Sequence, residues 1–311
     1  MISSVSNETR FLHVVEMGLG AWQWGDRVVW QYGRGYNDKD IQQAFQVSIQ
    51  EGVRFIDTAE IYGSGRSERL TGQFIKETEQ PVLVATKFFP LPWRLTKNSI
   101  LSALKGSLER LGLDSVDLYQ IHMPTPLLSP ETMMEGLVSC FENGLTRTVG
   151  ISNFSQAYML RAYSTLARHN IPLASNQLHY SLLNRGVEKN GLLARCKELG
   201  IRLIAYSPLE MGLLSGKYGS ATPPPGSRGA RYLNLISKIP PLLNLMTEIG
   251  QDHGGKSNVQ VALNWVICKG AMPIPGAKNG EQAHQNAGAL GWKLTEEEVA
   301  RLDFSSDAAL K

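Results

Sequence analysis

Two rhythms of apolar and polar positions take turns along this chain. Short runs rich in β-branched and aromatic residues predict buried strands: VRFIDT (53–58), PVLVATKF (81–88), SVDLYQIH (115–122), RTVGIS (147–152), LASNQLHY (173–180), IRLIAYSP (201–208) and AMPIPG (271–276), with MGLGAW (17–22) as a first one. Between them, KDIQQAFQVSIQEG, TKNSILSALKGSLERLG, SPETMMEGLVSCFENG and EKNGLLARCKELG carry apolar residues three and four apart, which predicts amphipathic helices. Gly52, Gly112, Gly144 and Gly200 are placed to end them as C-caps.

Strict strand-helix alternation predicts an α/β fold with a parallel sheet. Eight such units favour a closed (β/α)8 TIM barrel with its active site on the C-terminal face of the strands. An open doubly wound sheet is the alternative, because periodicity does not report closure, and no fixed-period repeat is visible. One stretch breaks the rhythm. From about 207 to 238 the chain runs through GLLSGKYGSATPPPGSRGAR, too rich in Gly and Pro for a regular element. Structureless loops longer than about 15 residues are uncommon unless functional or disordered. Following the seventh strand, this one would sit at the barrel rim, so a lid is expected; a disordered surface insertion is the alternative.

Length adds a question that the pattern answers. At roughly 150 residues per domain, 311 residues allow two domains, but barrels run as one unit, so a single domain over 1–311 is expected. The 42% hydrophobic content is enough for a large core, and no apolar run reaches the ~18 residues of a membrane helix. The opening MISSVSNETRFLHVVEMG lacks a basic region followed by an apolar one, so no secretory signal is visible and a cytoplasmic, non-membrane protein is expected. Cys140, Cys196 and Cys268 are odd in number, far apart and outside any C-x-x-C pattern, which supports neither a disulfide framework nor a zinc site. Lys+Arg exceed Asp+Glu by 31 − 28 = 3 with no long run of like charge, so nothing points to nucleic acid. Sequons at Asn7 and Asn153 match by pattern alone.

GQDHGGKS (250–257) formally matches the phosphate-cradling G-x-x-x-x-G-K-[ST] pattern, whose use would make the chain a nucleotide triphosphatase acting through Lys256. The pattern needs a strand before it, whereas PLLNLMTEIG reads as helix, and Ser257 with Gln260 reads instead as a capping box. No strand-turn-helix G-x-G-x-x-G exists either; GLGAWQ and GSGRSE both fail at the sixth position.

The chemistry lies at the strand ends. Asp57, Lys87 and His122 close three separate predicted strands, and Tyr62 follows Asp57 in the next loop. In a parallel barrel those ends share one face. Each residue alone has an ordinary explanation: a loop cap, an exposed charge, a turn tyrosine, a core histidine. Together they fit proton transfer to a developing alkoxide. A free tyrosine, with pKa about 10, is a poor acid-base group at neutral pH. A nearby ammonium is expected to lower that value, with a carboxylate holding the ammonium and a histidine orienting the carbonyl. No metal is needed.

DTAEIYGSGRSE (57–68), ATKF (85–88), DLYQIHMP (117–124), VGISNFS (149–155), AYSPLEMGLLSGKY (205–218) and IPGAKN (274–279) together resemble the aldo-keto reductases, in that family's order and over nearly the whole chain. The resemblance implies the (β/α)8 fold, a monomer or weak oligomer, and hydride transfer from NADPH to a small-molecule aldehyde or ketone. It implies Asp57, Tyr62, Lys87 and His122 as a catalytic tetrad with Tyr62 as general acid. For the cofactor it implies Ser152, Asn153 and Gln177 at the carboxamide, Tyr206 stacked on the nicotinamide, and Ser207, Leu209, Gly212, Ser215 and Lys217 over the pyrophosphate. Gly276, Lys278, Gln282, Gln285 and Asn286 align with the part that binds the adenosine half. Here the chain departs from many relatives, which carry arginine at Gln282 and glutamate at Gln285, so Lys278 is left to meet the 2′-phosphate and set a preference for NADP. Trp22, Trp30, Phe88, Trp93 and Met123 are expected to form an apolar, aromatic pocket mouth. The functional alternative is an NADPH-binding regulatory or channel-associated type of subunit with slow turnover.

Overall fold

The computed structural model describes residues 9–219, 222–224, 232 and 234–310. Each predicted strand forms: β1 Leu19–Gly20, β2 Phe55–Asp57, β3 Leu83–Phe88, β4 Val116–Ile121, β5 Thr146–Ser152, β6 Leu173–His179, β7 Arg202–Tyr206 and β8 Met272–Pro273. They line up in sequence order, each parallel to the next. The sheet then closes on itself. Gly18 and Gly20 donate their N–H groups to the carbonyls of Pro273 and Pro275, at 3.0 and 2.9 Å, and Gly20 pairs with Gly276. The fold is the (β/α)8 barrel, not the open sheet.

The closing strands β1 and β8 are shorter than their sequence runs for a physical reason. Pro273 and Pro275 have no N–H to give, so the seam is held by hydrogen bonds in which β8 only accepts. The two backbones also approach closely there: a Cβ on Gly20 would lie 2.8 Å from the carbonyl oxygen of Ile274. Only glycine fits.

Helices alternate with the strands, and polar side chains set where many begin. Asn37, Ser257 and Thr295 form capping boxes before Asp38–Gln50, Asn258–Cys268 and Glu296–Ala309, while Thr96, Ser129 and Ser155 cap Lys97–Leu111, Pro130–Glu142 and Gln156–Ala167. Gly52, Gly112, Gly144 and Gly200 all take the left-handed φ expected of C-caps. The predicted helix at 188–200 is instead two, Gly186–Lys189 and Leu192–Glu198, because Gly191 turns left-handed between them (φ 76°). Residues 250–252 end the helix Pro240–Asp252, so no strand precedes Lys256 and the phosphate-cradle reading fails.

Two cores result. Apolar faces of the helices pack on the outward strand residues, among them Val149 and Ile151. Inside the barrel, Phe55, Ala85, Leu118, Ala174, Ile204, Met272 and Ile274 form a dry layer plugged from below by Leu12 of the helix Arg10–Val14. Above that layer the interior turns polar, with Asp57, Lys87, Gln120, Ser175 and Gln177 all buried. Of the expected rim loop, the described part includes a 3-10 turn at Glu210–Ser215 that lines the site below. Residues 220–221, 225–231 and 233, part of the expected lid, and Asn7 with its sequon lie outside the described residues.

Candidate active site

Burying charge above an apolar layer is costly unless every charge is paired. Here the pairing is dense. Lys87 Nζ lies 2.5 Å from Asp57 Oδ2 and donates to the carbonyl of Thr58 at 2.9 Å. The other carboxylate oxygen of Asp57 accepts from Gln177 at 2.7 Å and from Gln120 at 3.5 Å, and Gln120 in turn accepts from Ser175 at 3.3 Å. Burial pulls the Lys87 ammonium below its ordinary pKa, and Asp57 offsets part of that pull.

Tyr62 is delivered to this cluster by a tight turn. The backbone after it, Gly63, Ser64 and Gly65, is left-handed at three consecutive residues, and a Cβ on Gly63 would lie 2.8 Å from the backbone of Gly25. The turn sets the phenol oxygen 3.4 Å from Lys87 Nζ. Contrary to the sequence expectation, the phenol is not acidified. Burial pushes it well above its usual value, and the charges of Asp57 and Tyr206 push the same way. The phenol stays protonated.

His122 follows β4 and stands edge-on to Tyr62 and Phe89, with ring centroids 5.6 and 5.4 Å away. Burial, and then Lys87, lower its pKa to about 3, so the imidazole is neutral at ordinary pH. Asn153 holds the carbonyl of His122 at 3.1 Å and also accepts from the hydroxyl of Tyr206 at 3.0 Å. The amide of Asn153 is thus engaged inside the protein, and its sequon is a coincidence of pattern.

These side chains open into one cavity of about 740 Å3, within the usual size for a small-molecule site. Asp57, Tyr62 and His122 line it; Lys87 stands behind them, fully buried. Every residue expected to bind cofactor lines the same cavity: Ser152, Asn153, Gln177, Tyr206, Ser207, Leu209, Gly212, Ser215, Lys217, Gly276, Lys278, Gln282, Gln285 and Asn286. Its chemistry is graded. Hydroxyl and amide groups of Ser152 and Gln177 are at the buried end, and the ammonium of Lys217 and the amide of Gln285 are on the exposed side. Lys278 places its ammonium over the rings of Tyr36 and Trp30, 4.4 and 5.1 Å from their centroids, and its backbone N–H donates to Gln282 Oε1 at 3.0 Å. This donor set fits an elongated molecule with a carboxamide at one end and phosphates towards the other.

The expected pocket mouth needs correction. Trp22 and Trp30 line the cavity, Trp22 stacked beside Tyr62 and fixed by a 3.0 Å hydrogen bond from its indole N–H to Asp26. Phe88, Trp93 and Met123 do not line it. Phe88 is fully buried in the outer core, because strand side chains alternate and Lys87 already points inward. Trp93 is 76% exposed and Met123 40% exposed. Phe89, Ile61, Gln23, Asp26, Met211 and Tyr218 are wall residues that sequence reasoning missed. Sequence reasoning also missed two buried residues that do not line the cavity: Gln120, behind Asp57, and Glu68, a carboxylate held by Thr86 and Arg110 at 2.6 Å each. The same alternation signals Gln120, two residues before His122.

The sequence pattern described as the aldo/keto reductase family matches residues 16–307. The chloroplastic pyridoxal reductase of Arabidopsis thaliana is 41% identical over 96% of this chain and 85% of its own length. A crystal structure of a thermostable aldo-keto reductase with the inhibitor epalrestat superimposes with a TM-score of 0.76 at 30% identity, covering 94% of this chain and 95% of the other. An aldo/keto reductase from Klebsiella pneumoniae, solved with NADP and acetate, does so at 0.72 and 27% identity, covering 93% and 90%. With the barrel, the charged cluster at its mouth and these matches in agreement, the chain belongs to the aldo/keto reductase family.

Proposed function

We propose that this oxidoreductase is an NADPH-dependent carbonyl reductase, acting as one barrel unit over 1–311, with Tyr62 as the general acid. The observation that carries the reading is the meeting of Asp57, Lys87, Tyr62 and His122 at the wall of the cavity that also gathers all fourteen expected cofactor residues. NADPH, when bound, supplies a hydride from its nicotinamide. Ser152, Asn153 and Gln177 would hold the carboxamide, Tyr206 the ring face, and Lys217 with Lys278 the phosphates.

The chain's own groups then have distinct tasks. A carbonyl oxygen between Tyr62 and His122 receives a hydrogen bond from the phenol, and the phenol's proton passes to it as alkoxide character develops. Lys87 stabilises the phenolate left behind, while Asp57 keeps the ammonium in place. His122, neutral, orients the oxygen without adding charge. Trp22, Trp30 and Phe89 offer aromatic rings and Ile61 an aliphatic side chain to the cavity, which supports aromatic or hydrophobic aldehydes over charged sugars. Pyridoxal, a planar aromatic aldehyde named for the Arabidopsis relative, belongs among the first substrates to try.

NADPH oxidation measured over a panel of aromatic, aliphatic and sugar aldehydes tests this. Turnover fastest with aromatic aldehydes supports the reading. NADPH binding with no turnover on any of them would favour the regulatory-subunit alternative.

A further inference from the structure

Behind the cavity wall stands a second cluster that the reaction itself does not use. His179 and Tyr206 end β6 and β7 and are direct partners in the parallel register. Their rings stack with centroids 5.2 Å apart and planes 15° apart, so the imidazole backs the face of Tyr206 that is turned away from the cavity. The side-chain amide of Asn184 lies 2.7 Å from Nδ1 of His179, and Nε2 lies 2.6 Å from Glu210 Oε1, a close polar contact that is not aligned as a hydrogen bond.

Glu210 is 3% exposed, and its two oxygens also accept from Ser181 at 2.7 Å and Tyr232 at 3.1 Å. It sits in the segment that carries Ser207, Leu209, Gly212, Ser215 and Lys217 into the cavity. That segment is strained. Ser207, Glu210 and Met211 all have positive φ (50°, 47° and 51°), a region that residues with a Cβ rarely occupy. Three such residues within five positions persist only if something outside the segment holds them. The buried carboxylate of Glu210 is tied to the ends of the barrel strands, which supplies that hold.

We propose that His179 and Glu210 are positioning residues that latch the segment 207–217 against the ends of β6 and β7, so that breaking their contact speeds release of the bound dinucleotide. This rests on the reading of the cavity as a dinucleotide site. The latch acts on Tyr206 and on the covering segment together, because one imidazole touches both. Hydride transfer depends on Tyr62, Lys87 and His122, which the latch does not contact.

The test uses His179→Phe, which keeps a stacked ring but loses the polar contact with Glu210, together with Glu210→Gln and the double variant. Stopped-flow fluorescence gives the NADPH dissociation rate, single-turnover mixing at saturating NADPH gives the hydride step, and hydrogen exchange of residues 209–218 is followed in the ligand-free protein. Each single variant is expected to release NADPH on the order of tenfold faster, the scale of one lost polar contact to a buried carboxylate. The hydride step should stay within about twofold, and the double variant should be no faster than either single one, since both remove the same contact. Segment exchange should speed up in all three.

Release rates within about twofold of wild type, or effects that multiply in the double variant, would overturn the latch. Should Glu210→Gln fail to fold, His179→Gln, which returns an N–H donor towards Glu210, should release NADPH near the wild-type rate; release as fast as in His179→Phe would count against the proposal. If the wild-type chain binds neither NADPH nor NADH, the dinucleotide reading fails instead. Exchange in the ligand-free protein then decides the latch alone: faster exchange in His179→Phe supports it, and unchanged exchange overturns it.

Discussion

Lys87 Nζ lies 2.5 Å from the carboxylate of Asp57 and 3.4 Å from the hydroxyl of Tyr62, so the ammonium is first a partner of the acid and only second of the phenol. Its charge is therefore balanced before any substrate arrives. Lys87→Met removes that charge and leaves Asp57 unbalanced beside Tyr62, which drives the phenol's pKa further up. The alkaline limb of the pH-rate profile should move to higher pH and the rate at neutral pH should fall. Superimposable profiles for variant and wild type would show that Lys87 does not tune Tyr62.

His122 gives a prediction about stability in acid. Its pKa is about 3 in the folded chain against an ordinary 6.5, so between those values the unfolded chain binds a proton that the folded chain does not. Its contribution is intact above pH 6.5 and is lost as pH falls towards 3, with a slope of at most roughly 1.4 kcal/mol per pH unit. Denaturant titrations at pH 7 and pH 5 should show wild type losing more stability than His122→Asn. An equal loss would mean that His122 is already protonated at pH 5.

On the proposed reading, the preference for NADPH rests on Lys278, the only lysine or arginine in 274–286. A 2′-phosphate meets it as a point charge, without the fork that an arginine would offer. Lys278→Ala should weaken NADPH by roughly 1.5–3 kcal/mol and leave NADH nearly unchanged, read by quenching of protein fluorescence. The ammonium also contacts the carbonyl of Trp30 at 3.4 Å and the rings of Trp30 and Tyr36. An equal loss for both cofactors would assign Lys278 to holding that loop rather than to reading the phosphate.

Far from the cavity, Arg185 joins the C-terminal helix Glu296–Ala309 to the barrel. It is 7% exposed and pairs with Glu188 at 2.9 Å and with Asp303 and Asp307 at 3.3 Å each. Arg185→Met still leaves Lys269 paired with Glu188 and Asp303 and Lys189 paired with Asp307, so no carboxylate is stranded and the cost in urea unfolding should be about 1.5–3 kcal/mol. A cost below about 1 kcal/mol would place the cluster with ordinary surface pairs.

The barrel was legible because its signals are local. Eight apolar runs, the glycines after the helices and the Ser257–Gln260 capping box each act within a few positions, and each appears where it was expected, with β1 and β8 shorter than their runs. Closure was expected from the count of eight units and the family resemblance but not from periodicity, since it depends on Gly18 and Gly20 meeting the carbonyls of Pro273 and Pro275 some 250 residues away. The site was readable wherever a side chain ends a strand. It was misread at Phe88, where alternation was not carried one residue past Lys87, and at Trp93, where an aromatic residue near the rim stands in solvent. The direction of the Tyr62 shift was also missed, because it turns first on how deeply the phenol is buried and then on the Asp57 charge near it, neither of which spacing encodes.

The central claim is that Tyr62 delivers the proton in an NADPH-dependent reduction. Its most direct test compares wild type and Tyr62→Phe for NADPH affinity and for kcat on an aromatic aldehyde. The substitution removes one oxygen and keeps the ring beside Trp22 and His122. NADPH affinity should be unchanged while kcat falls on the order of 10²–10⁴, the usual contribution of a positioned acid. Turnover in Tyr62→Phe equal to that of wild type would contradict the account.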